Sequence, residues 1–340
     1  MNNPLVEVAD LKVYFPMRGG LVQSQRRMIR AVDGISFRIH AGEILAMVGE
    51  SGCGKTTIGK TILRLIPPTN GVLTFQGEDI TRLQGMKLRT LRKRMQLIYQ
   101  DPYESLDPRQ SVFEILEEPL RIHTPSLPHS EIEGRVYSAL ESTGLHPVRE
   151  IAGRYPHHLS GGQRQRVAIA AAMILEPEFI VTDEPVSMLD VSIRADILRL
   201  MLELRQKKQL TYLFITHDLS LAWMIADRIL VLYLGKIMEV GAAHSVIHAA
   251  KHPYTQALVS VIPLPRPKPE RLQIVLEGET PSPLDIPTGC RFYPRCWLWK
   301  QLGQPQKCLD MEPELCDGGD GHLVACHFPG HLALGIIGGF

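Results

Sequence analysis

Four short runs of the chain are almost wholly apolar: Ile44 to Val48, Phe179 to Thr182, Thr211 to Thr216 and Ile229 to Leu234. Runs this short and this uniformly apolar predict strands covered on both faces, as in a parallel sheet. A helix predicted from about Ser192 to Lys208 separates the second run from the third, the alternation expected of an α/β fold. Upstream, Leu5 to Phe15 alternates loosely between apolar and polar residues, Val32 to Ile39 reads as a second strand, and Val72 to Gln76 with Gly77 reads as strand and turn. The opening therefore predicts a small, partly antiparallel sheet feeding a parallel one. A basic helical stretch, Leu88 to Met95, precedes a short strand at Gln96 to Tyr99, and Gln100-Asp101-Pro102 ends it. Residues 111 to 175 read as mainly helical, with breaks expected at Pro119, Pro125, Pro128, Gly144 and Pro147. Seven prolines between Pro263 and Pro287 suit neither a helix nor a central strand. They mark an extended connection to a small cysteine-bearing segment. The expected division is a main α/β domain over 1–262 with a helical subdomain at about 101–175, a proline-rich linker over 263–289, and a cysteine-rich unit over 290–340.

The chain has 340 residues, 21% charged and 44% apolar, with a net charge of +1, so bulk electrostatics give no case for a nucleic-acid partner. It contains no run of 18 or more uncharged apolar residues, so no bilayer span is expected. Met1 to Asp10 lacks a basic stretch followed by an apolar one, so no secretory leader is expected there and a cytosolic chain is. Any membrane role must then come through a partner.

Between the first apolar run and a helical stretch from Ile58 to Leu65 stands Gly49-Glu50-Ser51-Gly52-Cys53-Gly54-Lys55-Thr56-Thr57. Strand, glycine-rich loop and helix form the context in which GxxxxGK[ST] reads as a P-loop. Glycines let successive backbone N–H groups curl around phosphate oxygens, and the helix start adds its dipole and donors. Lys55 is expected to reach the β- and γ-phosphates and the Thr56 hydroxyl to ligate Mg²⁺. Cys53 occupies a variable position of the loop, where a small side chain fits. The second run ends in Asp183-Glu184. Asp183 is placed to hold Mg²⁺, directly or through water. Glu184 is placed to orient and deprotonate the attacking water. Leu159-Ser160-Gly161-Gly162-Gln163 precedes a strongly helical sequence and makes a second exposed helix start suited to an anion. Two phosphate-binding helix starts in one chain are most economically explained by two chains facing each other, each P-loop completed by the other's Ser-Gly-Gly.

Leu159 to Gln163 is identical to the signature of ATP-binding-cassette ATPases, with a chance expectation below about one in a thousand in a chain of this length. That resemblance implies a P-loop NTPase fold with a RecA-like parallel-sheet core, an antiparallel β subdomain and a helical subdomain, binding ATP and Mg²⁺. Phe15 resembles the aromatic that stacks on adenine, although Tyr14 is adjacent. Gln100 resembles the glutamine that contacts Mg²⁺ and the attacking water, Asp190 the loop that signals across the dimer, and His217 the switch histidine at the γ-phosphate. The family usually has alanine where this chain has Met188, which leaves the packing beside Asp190 open. A narrower resemblance lies in Gln100 to Arg109, the Gly19-Gly20 insertion, His252-Pro253-Tyr254-Thr255, and Gly289 to Cys296. These segments are similar to the ATPase subunits of oligopeptide and dipeptide importers. The resemblance implies a peripheral subunit on the cytoplasmic face of the cell membrane. It would pair with a sister ATPase, power two transmembrane permease subunits, and receive cargo indirectly from an extracytoplasmic binding protein. Relatives that carry nickel or oligosaccharides share the pattern. A soluble cassette ATPase of DNA repair or translation is disfavoured by the single set of motifs and the lack of sustained heptads. A nucleotide-regulated redox protein would need an electron partner that the sequence does not reveal.

Five of the six cysteines fall at 290, 296, 308, 316 and 326, and in a reducing compartment such a cluster points to metal before disulfides. Four thiolates from scattered loops suit tetrahedral Zn²⁺ or a [4Fe–4S] cluster, and spacing does not separate the two. The family resemblance implies an iron–sulfur cluster on Cys290, Cys296, Cys308 and Cys326, with Cys316 as the spare. Its expected role is to stabilise a segment too short to build its own core.

Overall fold

The computed structural model describes residues 3–17, 28–263 and 273–331. In chain order the elements begin β1 (Val6–Pro16), β2 (Met28–Ile39), β3 (Ile44–Val48), α1 (Lys55–Ile62), β4 (Asn70–Phe75), β5 (Glu78–Asp79), α2 (Gly85–Arg94) and β6 (Met95–Ile98). They continue α3 (Pro102–Ser105), α4 (Val112–His123), α5 (His129–Ser142), α6 (Val148–Ala152), α7 (Gly161–Met173), β7 (Phe179–Asp183), α8 (Val191–Lys208) and β8 (Thr211–Thr216). The last are α9 (Leu219–Ile225), β9 (Arg228–Tyr233), β10 (Lys236–Ala242), α10 (Ala243–His248), α11 (Pro253–Ser260), α12 (Trp297–Gln301), α13 (Lys307–Asp310), β11 (Cys316–Asp317) and β12 (Leu323–Val324). Two compact units result. One gathers 1–39, 44–81 and 215–340; the other gathers 40–43 and 82–214, so the boundary falls inside β8. The Gly19-Gly20 insertion and part of the proline run lie outside the described residues, and 273–289 contains no helix or strand.

The first unit holds an antiparallel sheet in the order β2-β1-β4-β5, with Val6 opposite both Ile39 and Phe75. Its second set of strands runs β11-β12-β10-β9-β3. β3 and β9 are parallel, with Met47 opposite Leu230, whereas β9 and β10 form an antiparallel hairpin. β12 pairs antiparallel with β10, Glu239 facing Val324, so the cysteine-bearing segment extends this sheet. Glu239 is fully buried, and three donors hold its carboxylate: the Lys251 N–H at 2.7 Å, the His252 N–H at 2.9 Å and the His322 ring at 2.6 Å. A buried carboxylate is tolerated only with such partners, and the one from His322 ties the 316–325 hairpin to β10.

In the second unit β6 and β7 are parallel, with β8 on the far side of β7. Its helices share a core in which Leu116 of α4, Val136 of α5 and Val167 of α7 have no exposed surface. Side chains of this size are each worth about 1.5–3 kcal/mol when fully buried. One expectation is corrected here. Pro119 does not break the helical segment but lies inside α4, which runs from Val112 to His123. Pro119 removes one N–H from the helix ladder, yet Ile115, Leu116 and Leu120 on the same helix are all buried, and their burial outweighs the lost bond. A capping box starts this helix: Glu114 N–H donates to the Ser111 hydroxyl at 3.3 Å, and Ser111 N–H donates to the Glu114 carboxylate at 2.7 Å.

Candidate nucleotide site and cysteine chamber

The P-loop joins β3 to α1 in the first unit. Its glycines are required by close approach. A Cβ on Gly49 would stand 2.2 Å from the Leu232 carbonyl oxygen, and one on Gly54, whose φ is +109°, would stand 2.3 Å from that of Ala31. Lys55 is almost fully buried, and its ammonium donates to the carbonyls of Gly49 at 2.7 Å and Glu50 at 2.9 Å, with the Cys53 sulfur 3.8 Å away. Burial pushes the Cys53 thiol up despite the lysine beside it, so it is a packing group within the loop. Thr56 and Thr57 follow on the first turn of α1.

Phe15 and Tyr14 close β1 in the same unit. The Tyr14 hydroxyl donates to Asp33, which also receives the Arg291 guanidinium. Burial, then this hydrogen bond, pushes the Tyr14 phenol up to about 12. Burial opposes ionisation of Asp33, but the Tyr14 and Arg291 hydrogen bonds outweigh it and hold the carboxyl below its usual value. Successive strand residues face opposite sides of a sheet, so tethering Tyr14 to Asp33 leaves the Phe15 ring on the other face. His217 follows the end of β8 and is exposed.

The second unit carries the remaining residues. Asp183 ends β7 with 8% exposure, and Glu184 follows it at φ +47°, a left-handed conformation that a non-glycine residue adopts at a cost of roughly 1–3 kcal/mol. Gln100 donates to the Glu184 carboxylate at 3.2 Å and to the Ser187 hydroxyl at 3.4 Å. These two predicted residues are therefore brought together directly. Ser160 caps α7 in a second capping box: Gln163 N–H donates to its hydroxyl at 3.2 Å, and Ser160 N–H donates to the Gln163 side chain at 3.0 Å. The Gly161 and Gly162 amides then lead an exposed helix start, the arrangement suited to an anion. Gly162 lies under Ile193, where a Cβ would come within 2.9 Å of its methyl group. This seats the signature against the start of α8, where Asp190 is the N-cap. Met188 is 63% exposed and does not crowd that loop.

Cys290, Cys296, Cys308 and Cys326 line one small chamber with His252, Phe292, Trp299 and Phe328, whereas Cys316 is exposed on β11. Burial pushes the thiols of Cys290 and Cys326 up to about 12 and that of Cys296 to about 11, and in all three a neighbouring chamber thiol adds to the rise. Backbone N–H groups of Trp299 and Phe328 donate to the sulfurs of Cys296 and Cys326, each at 3.4 Å. Among the described residues, no three His, Cys, Asp or Glu side chains stand as a ready-made site for a metal ion. Four sulfurs nonetheless line one cavity, and two of them accept backbone hydrogen bonds.

Sequence reasoning does not foresee that Arg291 reaches Asp33 or that Arg295 reaches Glu50 of the P-loop. The available signal was the two arginines set beside Cys290 and Cys296 within one short motif.

A glycine loop closed around a buried lysine, a strand ending in two acids and a capped Ser-Gly-Gly helix start define a P-loop nucleotide hydrolase of the cassette type. The ABC transporter family model matches residues 32–187, and the model for the oligopeptide/dipeptide transporter C-terminal region matches 238–301. The chain is 47% identical to the oligopeptide transport ATP-binding protein AppF of Bacillus subtilis, over 95% of this chain and 97% of that one. It is 44% identical to the dipeptide transport ATP-binding protein DppF of Escherichia coli, over 96% and 95%. Among solved structures, a dimeric bacterial ABC transporter cassette, MJ0796, matches with a TM-score of 0.62 at 26% identity, over 70% of this chain and 98% of that one. The chain belongs to the ATP-binding proteins of oligopeptide and dipeptide ABC transporters, and it is an ATPase subunit coupled to transport. Among the described residues no helix is long and apolar enough to cross a membrane.

Proposed function

We propose that this chain supplies ATP hydrolysis to an importer of di- and oligopeptides, seated on the cytoplasmic face of the cell membrane against two permease subunits. The relatives named for oligopeptide and dipeptide transport support that cargo. The observation that carries the mechanism is the exposed, capped helix start at Ser160–Gln163, a second phosphate-binding terminus that one chain's own nucleotide does not need. ATP is held between two ATPase chains, with the P-loop of one facing the Ser160-Gly161-Gly162-Gln163 of the other, and a sister chain is the natural partner. Phe15 stacks on the adenine, since Tyr14 is committed to Asp33. Lys55 and the loop amides hold the phosphates, while Thr56, Gln100 and Asp183 hold Mg²⁺. Glu184 takes the proton of the attacking water, His217 contacts the γ-phosphate, and Asp190 reports across the dimer. Transport assays in vesicles carrying all subunits, with di- to pentapeptides as competitors, test the cargo. Uptake of nickel or oligosaccharide in place of peptide would overturn it.

The permease contact is assigned to a groove of about 370 Å³ in the second unit, lined by Tyr99, Leu106, Pro119, Ile122, His123 and Ala172 among others. It offers a cleft for a short helix in which Arg92, Asp107 and Glu118 stand beside the apolar residues, and Pro119 forms part of its wall. Ile122 is 44% exposed there. Ile122→Asp is expected to reduce co-purification with the permease subunits at least about tenfold, the scale of a buried apolar contact replaced by a charge. MgATP affinity of the isolated chain should not change. Intact assembly by the variant would remove the groove from the interface.

The four chamber cysteines suit a [4Fe–4S] cluster, in which each iron takes one thiolate. A single Zn²⁺ takes the same four thiolates, and it is the family resemblance that favours the cluster. Bound there, the group supplies cross-linking of the 290–326 segment. Anaerobically purified protein is expected to contain iron and acid-labile sulfide. Cys296→Ser should lose them and Cys316→Ser should keep them. Stoichiometric zinc without sulfide would decide for the single ion.

A further inference from the structure

Glu50 places a carboxylate inside the anion-binding loop, one residue after Gly49, where it repels the phosphates the loop exists to bind. Every hydrogen-bonding group of this residue is engaged. Its carbonyl accepts from Lys55 at 2.9 Å, and its N–H donates to the Tyr254 hydroxyl at 3.2 Å. Its carboxylate is held by one Arg295 nitrogen, at 3.0 Å and 2.8 Å to the two oxygens, and by the Thr280 hydroxyl. The Arg295 side chain is only 10% exposed. It comes from the residue before Cys296, while the Tyr254 ring packs on chamber-lining Phe292 with centroids 5.2 Å apart.

We propose that Arg295 is a positioning residue for ATP binding: it neutralises the Glu50 carboxylate and holds it to the cysteine-bearing segment, so that order in the chamber sets the affinity of the P-loop. The chamber wall thus reaches Lys55 through one residue, Glu50. Everything along this path belongs to the first unit. The inference rests on Gly49–Thr57 being the phosphate cradle, which the wild-type MgATP titration checks independently. A wild type that does not bind would sink that reading and not this one alone.

The experiment is MgATP titration of the isolated chain by calorimetry, with melting temperature and metal content recorded for each variant. Arg295→Ala is expected to raise Kd about tenfold, and this penalty should shrink at high salt, because it is electrostatic. Glu50→Gln removes the charge that Arg295 neutralises, so in that background Arg295→Ala should change Kd by no more than about twofold. The double variant Glu50→Gln/Arg295→Ala should therefore bind more tightly than Arg295→Ala alone, a rescue that loss of packing would not give. If Arg295→Ala does not fold, Arg295→Gln keeps most of the bulk without the charge and carries the same comparison. Cys296→Ser, which disturbs the chamber without touching the Glu50–Arg295 pair, should weaken MgATP binding more in the wild-type background than in Glu50→Gln. Wild-type affinity in the arginine variant, or a double variant as weak as the single one, would overturn the proposal.

Discussion

Glu184→Gln is expected to bind MgATP within about twofold of wild type while losing turnover by at least about a hundredfold, the usual contribution of a positioned general base. The substitution keeps the length and shape of the side chain. It keeps an oxygen for the Gln100 amide, which now lies 3.2 Å from the carboxylate, and leaves the φ of +47° unchanged. What it removes is the capacity to accept a proton from water. Single-turnover hydrolysis in the assembled transporter, beside equilibrium nucleotide binding, separates the two effects. A variant that hydrolyses ATP at the wild-type rate would show that Glu184 is not the base, and would leave its strained backbone without the role assigned to it.

Gly54→Ala should be among the most damaging single methyl additions in the first unit. Its Cβ would sit 2.3 Å from the backbone oxygen of Ala31, at a φ of +109°, and a backbone carbonyl cannot swing aside as the end of a side chain can. Ala31 lies in β2, and the neighbouring Gly235 N–H bonds the Cys53 carbonyl at 2.9 Å, so both walls of the loop are fixed. Clash and backbone conformation together are expected to cost at least about 3 kcal/mol, lowering the melting temperature by about 5–10 °C and abolishing MgATP binding. Gly52→Ala is the comparison. Its φ is +78°, but nothing lies within 4 Å of the added methyl, so only the left-handed conformation is charged, about 1 kcal/mol. Equal losses of melting temperature in the two variants would refute the close-approach argument.

Legibility in the sequence followed the locality of the physics. The run Thr211–Thr216 reads as a strand and is one, residue for residue, because a short run rich in β-branched and aromatic residues suits a strand covered on both faces. Asp183 and Glu184 were read from the end of an apolar strand, and the structure puts Asp183 last in β7. β10 was not read, because Glu239 interrupts its apolar pattern. Its carboxylate is buried only through three donors 12 or more residues away in sequence, at 251, 252 and 322. Pro119 was read as a break because its cost is local, whereas the burial that carries α4 through it comes from α5 and α7.

The chemistry of the loops was legible without the fold: a glycine–lysine cradle after a strand, a Ser-Gly-Gly helix start, and acids at a strand end. Each depends on residues a few positions apart, so composition and spacing suffice. Folding alone ties Tyr14 to Asp33 and brings Arg295 to the P-loop at Glu50, whereas the grouping of four cysteines without Cys316 is the one the family resemblance already implies. Those pairings join residues up to 245 positions apart. Long-range charge and thiol partners are selected by burial, which penalises any unpaired polar group, and burial is a property of the folded chain.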